Sequence, residues 1–344
     1  MQALLLSAYR KLELVAMDRP ALGPNDVLVR VAACGICGSD VHGYDGSSGR
    51  RIPPIVMGHE AAGTVAEVGP AVERARPGDR VTFDSTIYCG QCDACRSGEV
   101  NLCRNRRILG VSCDEFRQHG AYAEYVAVPE HILYPLPPEL PFEFAALIEP
   151  VSVALHAVGL LKINPGERAV VVGSGMIGLL VIQALRVAGC SEVTAVDIDA
   201  GRLQLAGELG ATHTIDSKQS DAVGAVLERT NGRGADVAVE VVGNAAALNT
   251  AIRSVGRGGR VALVGNISPE VPLPLQIVVA RELTLLGSCA SAGEYPRAIE
   301  LVASGAINVK PLITAVAPLA DGPKWFERLY AREPGLMKVV LKPT

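Results

Sequence analysis

The chain has 344 residues, of which 49% are hydrophobic and 20% charged, and its formal net charge is −4. That length gives room for two domains with a buried core each, and the apolar content excludes a disordered polymer. No basic run accompanies the mild acidity, which argues against a nucleic-acid partner, since phosphate binding needs clustered Lys and Arg.

The opening MQALLLSAYRKLELVAMDRP holds an apolar stretch too short for a membrane span or a signal-peptide core. A cytoplasmic protein is expected, with no membrane partner. Its nine cysteines are then reduced, so clustered ones read as metal ligands rather than disulfides. In CGICGSDVH, which begins at Cys34, a thiol, a hydroxyl and an imidazole (Cys37, Ser39, His42) stand within a few residues of one another, a spacing open to a redox pair, a thiol nucleophile or a metal site. Cys34 reads as packing, and Arg50 with Arg51 as a solvated loop pair. Next, VMGHEAAGTVAEVG places His59 and Glu60 between glycines, and LIEPVSVALH places Glu149 among apolar residues. One thiolate, one imidazole and one carboxylate are what an open zinc site requires.

Between these stretches, YCGQCDACRSGEVNLCRN carries Cys89, Cys92, Cys95 and Cys103 as C-x2-C-x2-C-x7-C. Four thiolates in a glycine-rich polar loop close a tetrahedron with no open position, which predicts a structural zinc; an iron–sulfur cluster uses the same ligand type. Cys113, Cys190 and Cys289 lack partner spacing and read as core thiols.

After NPGER, which opens a second domain, RAVVVGSGMIGLLVIQALRVAGCSEVTAVD runs strand, Gly173-x-Gly175-x-x-Gly178, helix, strand and Asp197. In that setting the glycines are a dinucleotide fingerprint: a tight turn, close approach of a pyrophosphate, and a helix N-terminus that favours anions. Asp197 suits ribose hydroxyls and repels an added phosphate, so NAD is expected over NADP. THTID, ADVAVEVVG, GRVALVG and ELTLLGS complete six strands, a doubly wound parallel α/β sheet. The terminal MKVVLKP reads as an edge strand added to the N-terminal fold.

With these motifs the chain resembles the zinc-dependent medium-chain dehydrogenase/reductases over nearly its whole length, with the sorbitol (polyol) branch nearest. The resemblance implies a mostly β, GroES-like catalytic domain over 1–150 and 290–344, with a structural zinc lobe at about 88–105, and a Rossmann NAD-binding domain over 151–289. It makes Cys37 and His59 ligands of a catalytic zinc, with either Glu60 or Glu149 as third ligand. Ser39 becomes the first relay hydroxyl, and His42 the outer base reached through the nicotinamide ribose. NAD contacts are implied for Ile177, Arg202, Val264 and Gly265 beside the fingerprint glycines and Asp197. Two zinc ions per chain, a polyol oxidised to a ketose, and a homodimer or homotetramer complete the expectation. A threonine or sugar-alcohol-phosphate dehydrogenase and a non-catalytic dinucleotide-binding protein are the alternatives. Sorbitol-specific relatives carry a tyrosine after the relay histidine and an Arg-Tyr pair where this chain has Gly43 and Ala290-Ser291, so a different polyol substrate stays open.

Overall fold

The computed structural model describes residues 1–113 and 116–343, and the side chains of Cys113 and Phe116 lie outside the described residues, so the core-thiol expectation for Cys113 does too. Two units make up the chain: Met1–Pro150 with Tyr295–Gly305 and Val309–Thr344, and Val151–Glu294 with Ala306–Asn308. The short return of 306–308 to the second unit is held by Gln183, whose side-chain oxygen accepts the Asn308 N–H at 2.7 Å.

The first unit is built on a seven-stranded sheet. Its central strand, Asp26–Gly35, is rich in Val and small residues and buried along most of its length. That pattern fits a strand flanked by others and covered on both faces. It pairs antiparallel with Glu60–Val68, Tyr125–Pro129 and Lys338–Lys342, in a register that sets Gly35 opposite both Glu60 and Val340. A Cβ on Gly35 would stand 2.3 Å from Glu60 Oε2 and 3.4 Å from Lys338 Cδ, so this glycine leaves the space in which Glu60 and Lys338 meet.

The expected edge position of MKVVLKP is corrected here. Lys338–Lys342 lies inside the sheet, between Asp26–Gly35 and the parallel strand Ile313–Pro318. Val339, Val340 and Leu341 are all fully buried, which two covered faces and two strand neighbours explain. The core behind the sheet includes Leu4, Leu6, Cys34, Phe83, Tyr122 and Phe326. Fully burying a large apolar side chain stabilises by about 1.5–3 kcal/mol.

In the second unit six strands pair in parallel, in the order 213–216, 192–197, 168–172, 235–240, 255–263, 284–287. This is the doubly wound sheet the sequence predicts. Its strands are apolar runs such as RAVVV, as sheets covered on both faces require. Among the described residues one stretch, Phe142–Leu160, is long and apolar enough to cross a bilayer, and more than half of it is buried inside the protein, as in a core helix.

Candidate active site

A seven-residue helix, Gly38–Tyr44, starts at Cys37, whose sulfur caps it by accepting the Ser39 N–H at 3.5 Å. Ser39 Oγ donates to the same sulfur at 3.3 Å and accepts from Arg51 Nη2 at 3.1 Å. Ser39 and His42, three residues apart on the helix, share one of its faces, and both are exposed. Asp40 points the other way and is fully buried. Its Oδ1 accepts from Arg51 Nε at 3.0 Å and Nη2 at 2.8 Å, while its Oδ2 accepts the Tyr122 hydroxyl at 2.8 Å. Burial works against the Asp40 charge, but His59, Arg51 and Tyr122 together hold its carboxyl below the usual range.

Cys37, His59 and Glu60 come together from the helix start and the strand Glu60–Val68, and their ligand atoms lie within 4.8 Å of one another. His59 Nδ1 is buried, has no hydrogen-bond partner among the described residues, and sits 3.5 Å from Asp40 Oδ2. Both Glu60 oxygens accept from Lys338 Nζ, at 2.8 and 2.6 Å, and the pair is almost completely buried. Burial alone would lower the lysine, but Glu60 outweighs it and keeps Lys338 above its ordinary pKa. Glu149 stands outside the three-residue group, at the start of the helix Ile148–Leu160, where it accepts from Ser85 Oγ at 3.1 Å. Burial pushes the Glu149 carboxyl up to about 8; His59 opposes that, while Glu60 and Cys37 reinforce it. Burial likewise pushes the Cys37 thiol up to about 12, with Glu60 adding to it.

The charges therefore form a sum. Cys37, Glu60 and Glu149 are three potential anions against one cation, Lys338, and Asp40 is matched by Arg51. Burial keeps the Cys37 thiol and the Glu149 carboxyl toward their neutral forms, and if both lose their protons the resulting deficit is one that a divalent ion would fill. Sulfur, imidazole nitrogen and carboxylate oxygen are the donor set of a zinc site, so the residues fit that metal.

The four remaining clustered cysteines also converge, with Cys89, Cys92, Cys95 and Cys103 sulfurs within 4.8 Å of one another. Gly90 and Gly98 turn the chain between them at φ +71° and +86°, which only glycine adopts without strain. Backbone N–H groups of Cys95 and Arg104 pull the Cys92 thiol down to about 6, toward the thiolate that a metal binds.

In the second unit Gly173 has φ +100°, and a Cβ on Gly178 would fall 1.9 Å from Gly173 O, so the loop closes only with glycine at both places. Gly175 caps the helix Met176–Val187, with Ile177 in its first turn. Ser174 Oγ in this loop is buried with no hydrogen-bond partner among the described residues, a donor that fits the pyrophosphate of a dinucleotide. Asp197, ending the second strand, is also buried; it accepts from Ser174 N at 2.5 Å, Ile198 N at 2.7 Å and Asp199 N at 3.0 Å. Arg202 is exposed in the first turn of the helix Ala200–Glu208. Val264 and Gly265 follow the strand Val255–Leu263, with their N–H groups on Glu240 O at 2.9 and 3.1 Å.

Residues 23–138 match the alcohol dehydrogenase GroES-like domain family and residues 177–304 the zinc-binding dehydrogenase family. Over 347 residues the chain is 35% identical to sorbitol dehydrogenase of Bacillus subtilis (strain 168), covering 100% of this chain and 97% of that one. The chain belongs to the zinc-type medium-chain dehydrogenases, on their polyol branch. The dehydrogenase is also 37% identical to D-xylulose reductase A of Aspergillus niger, over 91% of this chain and 90% of that one. It is 37% identical to L-threonine 3-dehydrogenase of Symbiobacterium thermophilum (strain DSM 24528 / JCM 14929 / IAM 14863 / T), over 98% of both chains. A solved zinc-binding dehydrogenase of Sinorhizobium meliloti 1021, bound to NADP, is similar with a TM-score of 0.91 and 35% identity over 99% of both chains.

Two sequence expectations about this dehydrogenase are corrected. Arg51 is not solvated; it is 4% exposed and ion-paired with Asp40, whereas its neighbour Arg50 is exposed. Cys289 is exposed rather than a core thiol, while Cys190 is buried. Asp40, Arg51 and Lys338 were all missed as members of the site. Only Asp40 carried a local signal, an acid three residues after Cys37 and one helical turn long; the other two reach the site through long-range pairing.

Proposed function

We propose that this dehydrogenase oxidises a secondary alcohol of a polyol to a ketone with NAD, and that it holds two zinc ions. Cys37, His59 and Glu60 hold the catalytic one, with Glu149 beside its open side, and Cys89, Cys92, Cys95 and Cys103 hold the structural one. What carries this reading is the convergence of half-buried Cys37 with buried His59 and Glu60, with the Ser39 hydroxyl 3.3 Å from Cys37 Sγ. When bound, zinc supplies a Lewis acid that makes a nearby alcohol more acidic, and NAD supplies the hydride acceptor. Asp40 orients His59, and Lys338 fixes both Glu60 oxygens, so the donor set is rigid before substrate arrives. Ser39 takes the substrate's hydroxyl proton and gives its own toward His42, whose exposed imidazole stands at the solvent end of the path.

A panel of sugar alcohols, diols, threonine and polyol phosphates, assayed with NAD alongside metal analysis, tests the reading. Turnover confined to threonine would replace it with the second one, which the threonine dehydrogenase relative favours. Asp197 supports NAD as the cofactor, because a 2′-phosphate would meet its buried charge. The wild type should prefer NAD over NADP by roughly tenfold or more, about 1.4 kcal/mol, and Asp197→Ala should narrow the gap; equal use of both would overturn the choice. A homo-oligomer, a dimer or a tetramer, is supported by the open edge strand Thr284–Gly287 and by Ile267, Leu275 and Val279, exposed on the segment leading to it. Light scattering showing a monomer would remove that proposal. Cytoplasmic residence fits these thiols, which must stay reduced to bind metal.

A further inference from the structure

Arg51 is a buried arginine with two customers. Nη2 donates to Asp40 Oδ1 at 2.8 Å and to Ser39 Oγ at 3.1 Å, while Nε gives Asp40 a second bond at 3.0 Å. Its backbone is pinned on both sides by Ser112, whose N–H donates to Arg50 O at 3.1 Å and whose hydroxyl accepts the Ile52 N–H at 2.6 Å. The helix carrying Ser39 and Asp40 makes room for the side chain at Gly43. A Cβ there would lie 2.0 Å from Arg51 Cγ and 2.8 Å from Arg51 Cβ, so no other residue fits without moving the arginine.

A guanidinium only donates, and a serine hydroxyl has one proton and two lone pairs. With Arg51 on one lone pair, Ser39 keeps one lone pair to receive a proton; its O–H rests on Cys37 Sγ at 3.3 Å and must swing off the sulfur to be given, but it cannot turn toward the arginine. We propose that Arg51 is a positioning residue that fixes the direction of the Ser39 hydroxyl for proton transfer, and that Gly43 is the space that admits it. This rests on the reading above that Ser39 passes the substrate's proton. Gly43, where sorbitol-specific relatives are expected to carry a tyrosine, then also serves the relay helix.

The test uses the zinc-loaded full chain and two variants, Arg51→Lys and Gly43→Ala. Lysine keeps a cation for Asp40 but lacks the planar fork that spans two acceptors, and alanine displaces an unaltered arginine. Each variant should keep both zinc ions and its melting temperature to within a few degrees, with KM little changed. kcat should fall about tenfold or more, within the range that positioned proton transfer supplies, and the solvent deuterium effect on kcat should rise. Arg51→Lys combined with Ser39→Ala should be no slower than Ser39→Ala alone, since members of one chain of transfer are not additive. A crystal structure of Arg51→Lys should show Ser39 Oγ in a different rotamer. The proposal is overturned if Arg51→Lys loses zinc or stability with an unchanged solvent effect, or if its loss in kcat adds to that of Ser39→Ala. Full activity of zinc-loaded Ser39→Ala would instead remove the relay reading itself.

Discussion

Lys338 and Glu60 form an ion pair shut away from solvent, with 3% and 1% of their side chains exposed. Such a pair contributes little over an apolar substitute, yet removing one partner strands the other as a buried charge. Lys338→Met should therefore cost about 3–5 kcal/mol of stability, and adding Glu60→Gln should return part of it. Urea unfolding of the metal-free variants measures both; additive losses would show that the two side chains act independently. The same pair marks the limit of what could be read from sequence. Cys37, His59 and Glu60 stood out because glycines and a nearby Ser-Asp-His run frame them. Lys338 lies 278 residues from Glu60 with nothing local to mark it, since only strand register brings it in. Arg51 was misread for a related reason. Its neighbours Arg50 and Ile52 are exposed, so the local pattern is that of a surface loop, and its partner sits on another element.

A helix as short as Gly38–Tyr44 does not hold its shape alone, because so few hydrogen bonds do not offset nucleation. Tertiary clamps supply the difference. Tyr44 packs on Phe326 with ring centroids 5.7 Å apart, and Asp45 after the last turn accepts from Ser47 N at 2.9 Å and the Tyr330 hydroxyl at 2.8 Å. The Ser47 bonds, with Tyr330 behind them, pull the Asp45 carboxyl down to about 2. Its folded pKa lies below the unfolded value, so the clamp is fully present above about pH 3.9 and is lost as pH falls toward 2. Asp45→Asn should thus be less stable than wild type at neutral pH, with the difference shrinking through that acid window in thermal melts. A constant difference at all pH values would mean that the charge plays no part. The thiolate lobe is another element that lacks a core of its own, and the short helix Asp93–Arg96 within it has no buried residue. Cys92→Ser should remove one zinc per chain and lower the melting temperature, whereas Cys37→Ser should remove the other zinc with the fold kept. Metal analysis beside calorimetry separates the two, and wild-type protein with a single zinc would contradict the assignment.

Across the whole molecule, the second unit was the more legible half. Its signals are local: a glycine loop, an acid 24 residues after the first glycine of that loop, and apolar strands each separated by a helix or turn. The first unit draws on pairings between distant segments, and the placement of Lys338–Lys342 at an edge failed for that reason. That strand also fixes an order of assembly. A chain leaves the ribosome from its N-terminus, and domains fold as they emerge. Cys37, His59 and Glu60 are made before the second unit, but the strand that lies against Gly35 and brings the lysine to Glu60 follows all of it. Until then the half-made sheet has an open side and Glu60 has no buried cation to meet, so the unit begun first is finished last. Arrested nascent chains ending before Lys338 should accordingly show a protease-resistant second unit and a protease-sensitive first one, and release of the next few residues closes the sheet and the metal pocket in a single event.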